Sequence, residues 1–157
     1  MKLLLIAVGK TATPYLRQGI DIYLKRLTHY LPVETMIIAD IKNTKTLTES
    51  QQKEAEGRSI LAAIDPADYL VLLDERGREL TSRELSGFID RKTSTVQRRL
   101  VMVIGGPYGF SQAVYDRANE KLSLSRMTFN HEMVRLFLVE QIYRAMTILR
   151  GEPYHHD

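Results

Sequence analysis

Leu100-Val101-Met102-Val103-Ile104 is an unbroken apolar run that stops abruptly at Gly105-Gly106-Pro107-Tyr108-Gly109. A short run with no polar alternation suits a strand covered on both faces, the situation of parallel strands in α/β proteins. Lys2–Val8 is a second continuous apolar run of this kind, further strands are predicted at 33–38 and 69–73, and helical spacing fills the segments between them. Thr13-Pro14 opens the first helix, with a hydroxyl placed to cap free amides and a proline suited to the first helical position. Leu16, Ile20, Tyr23, Leu24 and Leu27 continue it. Thr48 with Gln51, and Thr81 with Glu84, carry the capping-box pattern and open two further helices, the first reaching about residue 64. The polar stretch from Asp40 to Thr46 reads as a mobile loop. Ser111 opens a short helix to about Lys121, a brief strand covers 122–124, and a long helix spans roughly 132–150. This alternation predicts an α/β fold with a mostly parallel sheet and helices on both faces. Ligands bind such sheets beyond the carboxyl ends of the strands. Leu73-Asp74 and Ile104-Gly105 are the ends followed by unusual sequence.

The 157 residues form one expected domain, 1–157, without repeats or a Pro/Gly/Ser-rich linker. There is no cysteine, which removes disulfides, thiolate metal sites and a cysteine nucleophile, and suits a reducing cytoplasm. The apolar stretch Leu3 to Val8 is too short to span a bilayer, so no membrane partner is expected. Twenty-two basic against 19 acidic residues give a net charge of +3 and permit a polyanionic partner without demanding one. His131-Glu132-Met133-Val134-Arg135 lacks the second histidine of a zinc-protease motif, so no metal site is read there.

Adjacent glycines after a buried strand let backbone approach a ligand closely, and Pro107 stiffens the turn. The spacing is neither a dinucleotide fingerprint nor a phosphate loop. Locally, two readings stand side by side: a tight strand-to-helix connection, or the wall of a ligand site. Leu122-Ser123-Leu124-Ser125-Arg126-Met127-Thr128-Phe129 is similarly open between an edge strand and a small apolar pocket lined by backbone donors and acceptors, of a kind that suits an adenine ring.

From Met133 to Leu149 the last helix is apolar nearly all round, which predicts burial on more than one side and a homodimer with this helix at the interface. Glu140 and Arg144 are spaced for an intrahelical ion pair. Arg135 has no such partner on its helix, and its guanidinium is the better candidate for a substrate phosphate. His29 falls at an exposed helix end and receives no role. After Gly151, Pro153, Tyr154 and His155 are stiff and bulky for a frayed end; an aromatic ring and an imidazole could stack on an unpaired base.

Leu72-Leu73-Asp74, Ile104-Gly105-Gly106-Pro107, Leu122-Ser123-Leu124-Ser125 with Met127-Thr128, His131, Arg135, Glu140-Gln141-Ile142-Tyr143-Arg144-Ala145 and Pro153-Tyr154-His155 together resemble the RlmH family, the methyltransferases H of large-subunit ribosomal RNA, in the SPOUT superfamily. The resemblance covers the whole chain and is strongest from Leu100 onward. Asn130 departs from it, standing where family members often carry proline. The resemblance implies a SPOUT-type parallel sheet with a deep C-terminal trefoil knot, a homodimer, and S-adenosyl-L-methionine bound in the knot. It implies cofactor contacts at Leu73, Gly105, Leu124, Ser125, Arg126, Met127, Thr128 and Phe129. The implied reaction is methylation of N3 of a pseudouridine in 23S ribosomal RNA, with the assembled ribosome as partner rather than DNA or free RNA. His155, then His131, would handle the proton, Tyr154 would fence the base and Arg135 would hold phosphate. The tail of one protomer is expected to reach the cofactor pocket of the other. Rival readings are a SPOUT methyltransferase acting on transfer RNA and a non-catalytic ribosome- or RNA-binding module.

Overall fold

A computed structural model describes residues 1–41 and 44–156. Lys42 and Asn43, part of the stretch expected to be a loop, lie outside the described residues, and Thr44–Thr46 form a 3-10 turn. The elements are β1 (Lys2–Val8), α1 (Pro14–Leu27), β2 (Val33–Ile38), α2 (Glu49–Ala62), β3 (Tyr69–Glu79), α3 (Ser82–Thr95), β4 (Arg99–Ile104), α4 (Gln112–Arg117), β5 (Glu120–Ser123) and α5 (Met133–Leu149). The sheet has five strands in the order β2-β1-β4-β3-β5, and every pairing is parallel.

Alternate side chains of each strand enter opposite layers, as the two-residue period of a strand requires. Leu3, Leu5, Val71, Leu100 and Met102 pack under α1, α3 and α5. Leu4, Ile6, Leu70, Leu72, Val101 and Val103 pack with Ile60 of α2 and Val114 of α4. The unbroken apolar runs exist because both faces of the central strands are covered. Below the strands, Asp68 is buried and takes the Arg99 guanidinium at 2.9 Å, tying the β3 and β4 starts together.

Both predicted capping boxes are formed, Thr48 with Gln51 and Thr81 with Glu84. Thr13 behaves differently from expectation, because its side chain makes no cap bond. The amides of Ala12 and Thr13 instead donate to the Glu132 carboxylate, brought from the far end of the chain. Asn130 serves the start of α5: its side-chain oxygen accepts from the amides of Glu132 and Met133 at 2.9 and 3.3 Å.

β3, expected to stop at Leu73, continues to Glu79. Its pairing with β5 runs to Leu73↔Leu122, breaks over the intervening residues, and resumes at Arg78↔Leu122 and Glu79↔Ser123. Asp74-Glu75-Arg76-Gly77 has turn chemistry because it is a bulge, and the neighbouring strand recaptures the chain after it. α4 is shorter than predicted. The amide of Asn119 donates to the Leu70 carbonyl and its side-chain oxygen accepts from the Leu70 amide, both at 2.8 Å, which draws the following residues into β5.

The apolar character of α5 is met largely within the chain. It contacts both α1 and α3, burying Leu138, Val139, Ile142, Ala145 and Met146. Met133 and Phe137 keep exposures of 38% and 37%, so an apolar strip remains on the outer side.

Candidate active site

A cavity of about 490 Å³ opens at the bulge of β3 and the carboxyl end of β4, bounded by the segment that follows β5. Leu73 closes it at the β3 bulge and Ile104 at the end of β4, the glycine turn forms one wall, and Leu122 to Leu124 form another. Of the predicted cofactor contacts, Leu73, Gly105, Leu124, Ser125, Met127, Thr128 and Phe129 all line it, and so does His131. Arg126 does not; its side chain is 90% exposed and pairs with Glu79 at 3.2 Å.

The glycines are fitted to their surroundings. A Cβ at Gly105 would stand 2.9 Å from the Phe110 ring, and one at Gly106 would stand 2.5 Å from the buried Glu56 carboxylate. Gly109, at φ +82°, sits in backbone space that side chains rarely adopt and closes the turn onto Gly106. Beyond β5, the Ser123 hydroxyl donates to the Ser125 carbonyl at 2.8 Å, and the Ser125 hydroxyl accepts from the Met127 amide at 2.9 Å. Leu122 and Ser123 do belong to the edge strand β5, but Ser123 is buried, and from Leu124 the chain forms a loop along the cavity.

Asp74 stands at the cavity wall, where it accepts from the Tyr115 hydroxyl and from the Arg76 amide. Burial, then the adjoining carboxylate, pushes the Tyr115 phenol up to about 12, so it stays a neutral donor that orients Asp74. The lining combines apolar side chains with Lys53, Glu75, Arg76, His131 and the oriented carboxylate of Asp74. That donor set fits an adenosyl cofactor, with the apolar walls suited to a purine and the polar groups to its hydroxyls and amine.

The remaining predicted residues lie elsewhere. The Tyr154 hydroxyl donates to Glu140 at 2.9 Å and meets the Tyr23 hydroxyl at 3.2 Å; its ring packs edge-on against Tyr143. His155 Nδ1 is 3.2 Å from Arg144, which makes the expected ion pair with Glu140 at 2.6 Å. Tyr30 donates to Glu152 at 2.7 Å, so the tail is tied down along α1 and α5 and does not line the cavity of its own chain. His29 is exposed, as expected.

Arg135 requires a correction. It was expected to present its guanidinium to phosphate, but it is only 5% exposed and donates to the carbonyls of Val8 and Gly9, both at 2.7 Å, and to the Thr11 hydroxyl at 3.0 Å. A missing partner on its own helix was no sign of a free side chain, because acceptors came from the end of β1. Sequence reasoning also passed over Lys53, which lines the cavity from α2, and Glu56, which sits behind the glycine turn. Glu56 left a faint signal as an acid on the helix face that also carries Ile60.

The chain matches the family model described as "predicted SPOUT methyltransferase" over residues 1–155. It is 59% identical to a ribosomal RNA large subunit methyltransferase H of Parabacteroides distasonis over 157 residues, covering all of both chains. Proteins of the same name from Porphyromonas gingivalis and Bacteroides fragilis are 54% and 52% identical, again over the full length of both.

Proposed function

The chain belongs to the SPOUT methyltransferase family, and from that premise we propose that it transfers a methyl group from S-adenosyl-L-methionine to N3 of a pseudouridine in 23S ribosomal RNA on the assembled ribosome. The observation that carries this reading is the cavity at the β3 bulge and the β4 end, walled by the glycine turn and by Leu124, Ser125 and Met127 to Phe129. Full-length identity with proteins named for large-subunit ribosomal RNA supports the substrate class. The same reading threads the C-terminal part of the fold into a deep trefoil knot and pairs two protomers. Support for pairing comes from the exposed apolar side chains Met133 and Phe137 on α5.

The cofactor supplies an electrophilic methyl on a cationic sulfur. Leu73 and Leu124 exclude water from its surroundings, the glycine turn brings backbone groups close, and Asp74 offers an oriented acceptor. The imide nitrogen becomes a good nucleophile once it has lost its proton, so the protein's part is positioning and proton removal. His131 stands in the cavity wall of its own chain. His155 and Tyr154 reach a cavity only from the tail of a second protomer, where they would take the proton and fence the base.

Single-turnover tritium transfer from the labelled cofactor to ribosomes lacking this modification tests the proposal. Incorporation into ribosomes and none into bulk transfer RNA is expected, and His155→Ala slows it by about 100-fold. Incorporation into transfer RNA alone would replace the ribosomal reading. No cofactor binding up to millimolar concentration would leave a non-catalytic RNA-binding module.

A further inference from the structure

Among the described residues Arg135 is the only buried cation, and its Nε is the only buried side-chain nitrogen or oxygen without a hydrogen-bond partner. The guanidinium is held by two carbonyls and a hydroxyl, with no carboxylate in hydrogen-bond contact. Burial lowers its pKa, a sign that the charge is poorly compensated. A desolvated cation with one donor unmet is a weak way to stabilise a core, since apolar side chains of similar volume serve as well or better. It does one thing an apolar side chain cannot, which is to fix direction and distance through several bonds at once.

Its bonds hold the carbonyl end of β1 at Val8 and Gly9. Three residues earlier on the same turn, Glu132 takes the amides of Ala12 and Thr13 and the Thr13 hydroxyl, the last two at 3.1 Å. Those amides open α1, where an anion meets unpaired donors and the positive end of the helix dipole. Hydrogen bonds from the Thr13 and Ala12 amides accordingly hold the Glu132 carboxyl below its usual value. One charged side chain of each sign therefore grips one end of the β1–α1 connection. The alternate positions, His131 and Val134, line the cavity.

We propose that Glu132 and Arg135 are positioning residues: they clamp the β1–α1 connection to the first turn of α5 and so hold His131 in the cavity wall. The functional consequence rests on the reading of that cavity as the cofactor site; the clamp itself does not.

The test compares Glu132→Ala with Glu132→Gln, which keeps an oxygen able to accept from Ala12 and Thr13. The readouts are calorimetric affinity for S-adenosylhomocysteine and the imidazole resonances of His131, assigned with His131→Asn and referenced to those of His29. Glu132→Ala is expected to shift the His131 signals, leave those of His29 in place and weaken binding by about tenfold. Glu132→Gln should restore both to near wild type. Unchanged His131 signals in Glu132→Ala overturn the clamp, as does failure of Glu132→Gln to rescue. If Glu132→Ala does not fold, Arg135→Lys carries the same readouts, because it keeps the charge and loses the fork. Absence of binding by the wild type would sink the cofactor reading alone, with the imidazole shifts still deciding the clamp.

Discussion

Replacing Gly77 by alanine should damage both stability and the candidate site, for a reason visible in the sheet. Gly77 closes the bulge of β3, and a Cβ there would stand 2.5 Å from the Leu122 carbonyl carbon, 2.7 Å from the Leu122 nitrogen and 2.7 Å from the Lys121 carbonyl carbon. All three are backbone atoms of β5, so no rotamer change relieves the contact. Either β5 moves away from β3 or the bulge re-forms with the loss of Arg78↔Leu122 pairing. Overpacking of a fitted interior costs about 1–3 kcal/mol, and a clash with paired backbone belongs at the upper end, about 3 kcal/mol. For a domain of this length that lowers Tm by about 6–12 °C. Leu122 lines the cavity, so affinity for S-adenosylhomocysteine should fall together with stability. Differential scanning calorimetry and a calorimetric titration of the same sample measure both effects. A Gly77→Ala protein melting within about 2 °C of the parent, or binding with unchanged affinity, would refute the reasoning, since either outcome means that β5 is not fixed against the bulge.

Tyr154→Phe keeps the ring packing but removes the hydroxyl that serves Glu140 and Tyr23, and should cost about 1 kcal/mol in urea unfolding. Glu56→Gln should stabilise the protein near neutral pH. Burial, helped by the Asp40 charge, raises the Glu56 carboxyl above its ordinary 4.5 despite the Gln52 hydrogen bond. A carboxyl with a raised folded pKa is most favourable to the fold below its unfolded value and loses that contribution as pH rises through the folded one. The advantage of the amide should therefore be present at about pH 7.5 and vanish at about pH 4, as parallel urea titrations would report. Asp68→Asn has the opposite pH sense. Burial works to raise the Asp68 carboxyl, but the Arg99 hydrogen bond, the Asp65 amide and the Arg99 and Arg98 charges hold it below 3.8. Its contribution is present above that ordinary value and is lost as pH falls through the depressed one. Removing the charge should cost about 3 kcal/mol near neutral pH, and the difference should narrow in thermal melts as pH falls below 3.8.

Local sequence determined much of this protein. Apolar runs specified the buried central strands, Thr48 with Gln51 and Thr81 with Glu84 specified helix starts, and the chain direction placed Gly105 at a strand end where a ligand site belongs. These are short-range properties, set by side-chain period and by hydrogen bonds within a few residues. Tertiary structure decided the rest. Whether Asp74 to Gly77 ended β3 or formed a bulge depended on β5, about 50 residues away. Whether Thr13 capped α1 depended on Glu132, 119 residues away. Arg135 looked free because its acceptors at Val8 and Gly9 lie 127 and 126 positions earlier. A helical pattern shows which side chains share a face, but not which distant backbone atoms will arrive to meet them. At the first turn of α5 that arrival turned an expected phosphate ligand into a buried brace and left His131 facing the cavity.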